Sequence, residues 1–226
     1  VEALKHAGLI GLAAVNDSGA GQVVVPWGGM DGRLSTNPIA VGIPGGDGPG
    51  ILFDFSTSAA ASGKVRQLLL RGEEAPDGWL VDASGSPTRD PTSLFREPHG
   101  FLLPAGGHRG YALGLLVEAL AGILSGAGYV NPHPGPEEMN GMFVLALDPA
   151  WFVPADMFQA HVDQLTTYVK TSRPMPDIGP VHIPGERSRA QAASRERDGI
   201  PLDEKTCGAL VEVLRDLGLP EELPCR

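Results

Sequence analysis

One stretch of the chain combines small, cationic and aromatic residues in the order expected of an anion-binding loop. It reads Gly106-Gly-His108-Arg109-Gly110-Tyr111 and continues into apolar residues that end near Leu124. The first turn of a helix has unpaired backbone N–H groups and partial positive charge. The pattern therefore predicts a site for phosphate or carboxylate. Arg109 suits phosphate, and His108 suits acid–base chemistry or a dinucleotide contact.

A second stretch carries a carboxylate, three hydroxyls and a lysine. It runs from Phe53-Asp54-Phe55-Ser56-Thr57-Ser58 through small residues to Lys64. Hydroxyls and free N–H groups can hold a ribose or a phosphate; alternatively, Ser56 or Thr57 caps a helix predicted over residues 57–71. Lys64, one and a half to two turns into that helix, can hold an anionic substrate or tune an acid–base group, or it is a surface lysine.

Two short proline motifs are further candidates. In Thr36-Asn37-Pro38 the residue before proline is expected to be extended, so that Thr36 and Asn37 bind a substrate carboxylate or stabilise a turn. Pro184-Gly185-Glu186-Arg187 predicts a turn into a helix and another phosphate contact. The five histidines other than His108 lack the spacing of a metal site, so we predict no metal. No nucleophile elbow is visible.

Charge and composition exclude several classes of protein. The 226 residues carry a formal net charge of −10, which argues against a nucleic-acid partner but not against an anionic small molecule in one cleft. The two cysteines and the absence of a signal-type start predict a reduced, cytoplasmic protein. Residues 111–124 are apolar but short for a membrane span and include Glu118, so we expect a core helix and no membrane partner.

The elements that must position these motifs form a mixed pattern. Strands are predicted near residues 9–15, 23–25, 39–43, 51–55 and 142–147, and helices near 57–71, 110–124, 156–172 and 201–219. The turn between Ile43 and Ile51 predicts an antiparallel hairpin. The fold class is therefore α+β or mixed α/β. A Rossmann domain is not expected, because no GxGxxG motif links a strand to a helix.

Taken together, the motifs resemble the type-2 malate/L-lactate dehydrogenase family, which includes ureidoglycolate dehydrogenases, diketogulonate reductases and piperideine-2-carboxylate reductases. The stretches that carry the resemblance are Trp27-Gly-Gly, Thr36-Asn37-Pro38, Asp54 to Lys64, Trp79 with Asp82-x-x-Gly85, Gly106 to Tyr111, and Pro184-Gly185-Glu186. They span essentially the whole chain. The resemblance implies a homodimer and a non-Rossmann, largely antiparallel sheet with packed helices.

The resemblance also implies which residues bind NAD or NADP and the substrate. The implied cofactor contacts are Asp54, Phe55 and Ser56; His108, Arg109 and Gly110; and Gly185, Glu186 and Arg187. The implied substrate contacts are Thr36, Thr57 and Ser58. Arg109 stands where the family usually has lysine, which leaves the choice between NAD and NADP open.

The implied reaction is hydride transfer between a nicotinamide and the C2 atom of a 2-hydroxy acid or of a 2-keto or imino acid. Family members carry the proton-transferring histidine and the substrate arginine before the point that matches Val1. We therefore expect an N-terminally truncated chain, whose only catalytic candidate is Lys64. The alternative is a non-catalytic nucleotide-binding or scaffold protein of the same family.

We expect residues 1–226 to be one malate/L-lactate dehydrogenase-like region. Its cofactor-binding core is predicted at about residues 20–180. Residues 1–19 and 181–226 are expected to form the remainder of a second domain.

Overall fold

The computed structural model describes residues 1–19, 21–133, 139–202 and 204–220. The chain divides into two compact units, Val1–Thr171 and Ser172–Arg226. The prediction of a cofactor-binding core over about residues 20–180 stays a prediction.

The described residues of the first unit contain seven strands: β1 (Ile10–Asp17), β2 (Ile39–Ile43), β3 (Ile51–Phe55), β4 (Leu80–Val81), β5 (Pro87–Thr88), β6 (Phe101–Leu102) and β7 (Asn140–Leu147). Four of them form a sheet in the order β3-β2-β1-β7, and three form a small sheet in the order β5-β4-β6. Every pair is antiparallel. The α+β class and the antiparallel sheet are confirmed.

The predicted hairpin is present. Strands β2 and β3 pair with Ile39 opposite Phe55 and Ile43 opposite Ile51. A turn rich in glycine and proline joins them, as the composition indicates. The prediction of a strand at residues 23–25 was wrong in extent, because Val24 makes only isolated bridges, to Leu34 and to Leu102.

The helices of the first unit are α1 (Glu2–His6), α2 (Ser62–Arg71), α3 (His108–Val117) and α4 (Ala155–Lys170). Helix α3 continues as a π-helical segment, Glu118–Leu124. The sequence predicted one α-helix over residues 110–124. The structure instead starts it at His108 and changes its hydrogen-bonding pattern at Glu118.

Helix α2 begins five residues later than predicted. The Thr57 N–H donates to the Thr36 carbonyl, and the Ala59 N–H donates to the Leu103 carbonyl. Because these groups pair with distant segments, residues 57–61 cannot form the first turn of the helix. Ala61 occupies the N-cap position with no side-chain hydrogen bond. The alternative interpretation, in which Ser56 or Thr57 caps this helix, is therefore excluded.

Two apolar clusters hold the first unit together. The larger one joins α2 to the small sheet and includes Val65, Leu80 and Leu102, each fully buried. The smaller one joins the large sheet to the end of α3 and the π-helical segment through Ile39, Val117 and Ala121 and their neighbours. The C-terminal end of α3 is thus anchored by buried contacts, and Tyr111 near its start is partly buried against the larger cluster.

The second unit contains helices α5 (Glu186–Asp198) and α6 (Glu204–Asp216). Within the described parts of both units, no helix has the length and apolar character needed to cross a membrane. Cys207 is disulfide-bonded, contrary to the reduced state that the sequence predicted. Cys225 lies outside the described residues.

Candidate functional site

The two hydroxyl-bearing motifs of the sequence meet in the structure at Thr36 and Thr57. The Thr36 carbonyl oxygen accepts from the Thr57 N–H at 2.9 Å and from the Thr57 hydroxyl at 3.2 Å. The Ser58 hydroxyl lies 2.7 Å from the Ala60 carbonyl oxygen, to which it donates. Thr57 and Ser58 are both about 3% exposed. These hydroxyls therefore contribute to the internal order of the loop.

The same loop packs against the start of α3. The Thr57 carbonyl oxygen accepts from the Ala105 N–H at 2.9 Å. A Cβ atom at Gly110 would lie 2.5 Å from that oxygen and would also collide with the Ala105 carbonyl. Only glycine permits so close an approach. The structure thus brings Thr36, Thr57 and Ser58 together with the loop that precedes His108.

The glycine turn before α3 exposes the beginning of the helix. Gly107 has φ +67°, and a Cβ atom there would lie 2.9 Å from the ring of Trp27, which is 58% exposed. The N–H groups of His108 and Arg109 have no backbone partner among the described residues. This is the geometry in which a helix N-terminus receives an anion.

Three polar side chains on these loops are exposed: Asp54 near the end of β3, and His108 and Arg109 at the start of α3. Within the described residues, none of the three forms a side-chain hydrogen bond or an ion pair. Phe55, 45% exposed, stacks on Phe53 at 5.3 Å between ring centroids. The exposed groups are available to an anionic or hydroxyl-bearing ligand.

Lys64 does not occupy the predicted position. It is the third residue of α2, because the helix begins at Ser62. Its Nζ atom lies 5.8 Å from the centroid of the Trp79 ring, which is within the range of a cation–π contact. The placement one and a half to two turns into the helix was wrong.

A buried polar network that the sequence did not predict ties the Thr36 loop to α3. The carboxyl oxygens of Glu118 accept from Asn37 Nδ2 at 2.8 Å, from Asn16 Nδ2 at 3.2 Å and from the Val130 N–H at 3.1 Å. Asn37 Nδ2 also donates to the Gly114 carbonyl oxygen at 3.2 Å. Glu118 was interpreted only as a reason to exclude a membrane span.

Asn37 departs from the extended conformation expected before proline. Its φ is +39°, a region that asparagine enters more readily than most residues. The side chain is fully buried, and its Oδ1 atom has no hydrogen-bond partner in the described part of the chain. The amide hydrogen bonds to Gly114 and Glu118 offset this strain, which explains why the local proline rule fails.

A cavity of about 800 Å³ opens beside this network, with Arg33, Leu34, Tyr111, Leu115 and Val130 among its lining residues. Leu34 connects it to the threonine pair: a Cβ atom at Gly114 would lie 3.3 Å from Leu34 Cδ1 and 3.4 Å from Thr57 Oγ1. The cavity is large enough for a small organic ligand.

In the Asp82-x-x-Gly85 motif, the carboxylate stabilises a turn. Hydrogen bonds from the Ser84 hydroxyl and from the Ser86 and Ser84 N–H groups hold the pKa of Asp82 below its usual value. Gly85 has φ +79°, which suits glycine. This motif is explained by local structure.

The second unit contains the late glycine turn. Gly185 has φ +95° and directly precedes α5. The Glu186 carboxylate accepts from the Ile183 N–H at 3.1 Å and so closes the turn. Arg187 is exposed. The predicted turn into a helix is confirmed, whereas the role of these residues toward a cofactor stays a prediction.

Across residues 1–19, 21–133, 139–202 and 204–220, no group of three or more His, Cys, Asp and Glu side chains is placed to hold a metal ion.

Comparison with known proteins identifies the relatives of the chain. It is 41% identical over 198 residues to an L-lactate dehydrogenase of Cupriavidus necator, covering 85% of this chain and 57% of that protein. It is 32% identical over 220 residues to a Δ1-pyrroline-2-carboxylate/Δ1-piperideine-2-carboxylate reductase of Pseudomonas putida, covering 95% and 61%. The chain thus spans about three-fifths of the length of these relatives.

A solved structure supports the same assignment. The structure of a putative malate/lactate dehydrogenase from E. coli superposes with a TM-score of 0.88 at 34% identity, covering 97% of this chain and 62% of that one. The family model described as malate/L-lactate dehydrogenase matches residues 1–211. The chain belongs to the malate/L-lactate dehydrogenase family.

Proposed function

We propose that the chain is the nicotinamide-binding part of an oxidoreductase that acts at the C2 atom of a 2-hydroxy acid, or of a 2-keto or imino acid. The observation that carries the proposal is the junction of two loops, the Asp54–Ser58 stretch and the start of α3, through the contact of Thr57 with Ala105 and Gly110. The names of the relatives support it, since they include dehydrogenases of hydroxy acids and a reductase of cyclic imino acids.

The residues fit a nicotinamide dinucleotide. Arg109 and the free N–H groups of the first turn of α3 suit a phosphate. The exposed Asp54 carboxylate suits ribose hydroxyls, to which it offers acceptors. We propose that His108, Gly110, Phe55 and Ser56 complete this contact. In the second unit, considered by itself, we propose Gly185, Glu186 and Arg187 at the start of α5 as cofactor contacts. When bound, the nicotinamide supplies or accepts the hydride.

The chain's own residues orient the substrate. We propose that the loop carrying Thr36, Thr57 and Ser58 faces the substrate, whose size the cavity of about 800 Å³ accommodates. Because the two threonines are locked together, the loop is preorganised, which lowers the entropy lost on binding. We assign no proton-transferring group. Lys64, the catalytic candidate of the sequence, is not supported by the geometry, since its ammonium group lies against Trp79.

The decisive experiment is titration of the purified chain with NADH and with NADPH, followed by nucleotide fluorescence. Saturation in the micromolar range supports the proposed function, and the ratio of the two dissociation constants decides between the cofactors. The emission of Trp27 serves as a second reporter, because its ring lies against the Gly107 position, and Trp27→Phe, which removes that emission, is the control. Absence of binding at millimolar nucleotide would contradict the proposal.

A second candidate function is nucleotide binding without turnover. It is favoured by the side chains of the two loops that could transfer a proton. These are Asp54 and His108, and both are exposed. Nucleotide binding together with no oxidation of lactate, malate or sulfolactate would support this alternative. Turnover of any of them would exclude it.

Two further expectations are retained as proposals. The family resemblance implies a homodimer, and the exposed apolar side chains of the edge strand β7, Met142 and Val144 among them, provide surface of the kind that dimers bury. Light scattering of the purified chain tests this. A cytoplasmic location is also proposed, although the disulfide at Cys207 removes the support that reduced cysteines would have given.

A further inference from the structure

The carboxyl group of Glu118 is buried where a charge is costly. The residue is 5% exposed, and its two oxygens accept from three N–H donors that belong to three separate segments of the chain. Burying a carboxylate is unfavourable unless such donors compensate it. An apolar side chain in the same space would leave the Asn16, Asn37 and Val130 donors without this acceptor, so three segments depend on one carboxyl group.

The three donors lead to different parts of the candidate site. Asn37 belongs to the loop whose preceding carbonyl, that of Thr36, accepts both Thr57 donors. Val130 lines the cavity. Asn16 lies in β1 and also donates to the Gly128 carbonyl oxygen and accepts from the Gly141 N–H, both at 3.1 Å. One carboxyl group therefore fixes the threonine loop and one cavity wall against the central strand.

Two uncommon backbone features coincide here. Glu118 is the first residue of the π-helical segment, and Asn37 has φ +39°. The positive φ of Asn37 is strained, and both π-helical segments and residues at positive φ are enriched at functional sites. Their coincidence on the two partners of a 2.8 Å hydrogen bond indicates that the network sets a specific loop conformation.

We propose that Glu118 is a positioning residue of the candidate site. Through Asn37 and Val130 it holds the Thr36–Thr57 pair at a fixed place relative to the cavity, where a small 2-keto or 2-hydroxy acid would bind. The substrate part of this inference rests on the proposed function. Glu118 touches neither ligand and acts through Asn37.

The test compares Glu118→Gln with the chain itself, and Glu73→Gln, an exposed site, is the matched control. The glutamine NH2 group replaces an acceptor with a donor that faces other donors. The first readout is hydrogen exchange of backbone amides. We expect the Thr57 and Val130 amides to exchange at least about tenfold faster, while the core amides of Leu80 and Leu102 keep their protection.

The second readout is kinetic and separates substrate from cofactor. With pyruvate as the probe, KM should rise at least about tenfold while the dissociation constant of the reduced nucleotide changes less than about threefold. The double variant Glu118→Gln with Asn37→Asp, which returns an acceptor opposite the new NH2 group, should recover part of both effects. If Glu118→Gln does not fold, Asn37→Gly removes the hydrogen bonds of Asn37 to Glu118 and to Gly114 and tolerates the positive φ.

The outcomes separate this inference from the proposed function. Unchanged Thr57 exchange, or equally faster exchange at every amide, overturns the positioning role. Equal shifts of KM and nucleotide affinity overturn the link to substrate. If the unmodified chain neither binds nucleotide nor turns over pyruvate, the proposed function and the substrate link fail together, and the exchange data still decide whether Glu118 holds the loop.

Discussion

Thr57 donates twice to the carbonyl oxygen of Thr36, through its N–H group at 2.9 Å and through its hydroxyl at 3.2 Å. These residues are 21 positions apart, and the paired hydrogen bonds turn two separate motifs into one loop surface. The Thr57 carbonyl oxygen accepts in turn from Ala105, next to the glycine turn of α3. The candidate cofactor and substrate contacts of the first unit are thereby parts of one connected structure.

Asp54→Asn should weaken nucleotide binding about tenfold or more, because a hydrogen bond to a charged acceptor contributes about 1.5–3 kcal/mol. Stability should not change, since the Asp54 side chain is exposed. The measurement is a nucleotide titration beside urea unfolding. Asp47→Asn, an exposed carboxylate on the turn between β2 and β3, is the control and should bind like the unmodified chain.

Arg109→Ala should lower the affinity for NADPH more than that for NADH if the guanidinium contacts the additional phosphate, and equally for both if it contacts the shared pyrophosphate. Arg109→Lys should retain part of the affinity, because the charge remains but the planar fork is lost. Titrations at low and high salt test the electrostatic origin. Identical affinities in all three proteins would remove Arg109 from the site.

Gly110→Ala should destabilise the first unit by about 1–3 kcal/mol, because the added methyl group overpacks the junction with Thr57 and Ala105. Gly63→Ala is the matched control in α2, where a Cβ atom meets open space. It should stabilise by about 0.5–1 kcal/mol through helix propensity. Urea unfolding followed by circular dichroism measures both. Equal stability of the two variants would mean that the junction is loose.

Asp90→Ala should cost about 0.5–1 kcal/mol at pH 7, because Asp90 caps a short helical turn and the site is exposed. The Thr92 hydroxyl and N–H group hold the pKa of Asp90 below its usual value of 3.8. A lowered acid pKa stabilises the fold above the unfolded-state value, and this contribution is lost as the pH falls through the folded-state value.

Unfolding at pH 7 and at stepwise lower pH should therefore show the difference between the unmodified chain and Asp90→Ala shrinking below about pH 4. Asp47→Ala, which removes an exposed carboxylate from the turn between β2 and β3, is the control. A constant difference at every pH would show that the carboxylate does not stabilise the turn.

The sequence by itself determined the elements whose signals are local. The β2–β3 hairpin follows from two apolar runs and the turn between them, and the presence of a helix after the glycine turn follows from the apolar run, although α3 begins at His108 and not at Gly110. The order of the motifs was enough to identify the family. The α+β class followed from the mixed pattern of strands and helices, and the largely antiparallel sheet followed from that resemblance.

Only the tertiary structure decided the rest, because the deciding contacts join distant residues. The late start of α2 depends on Thr36 and Leu103, which take up the backbone groups of Thr57 and Ala59. The positive φ of Asn37 depends on Glu118, 81 positions away. A prediction rule that considers only neighbouring residues takes none of these distant partners into account. A glutamate inside an apolar run looks like an interruption until its hydrogen-bond donors are known.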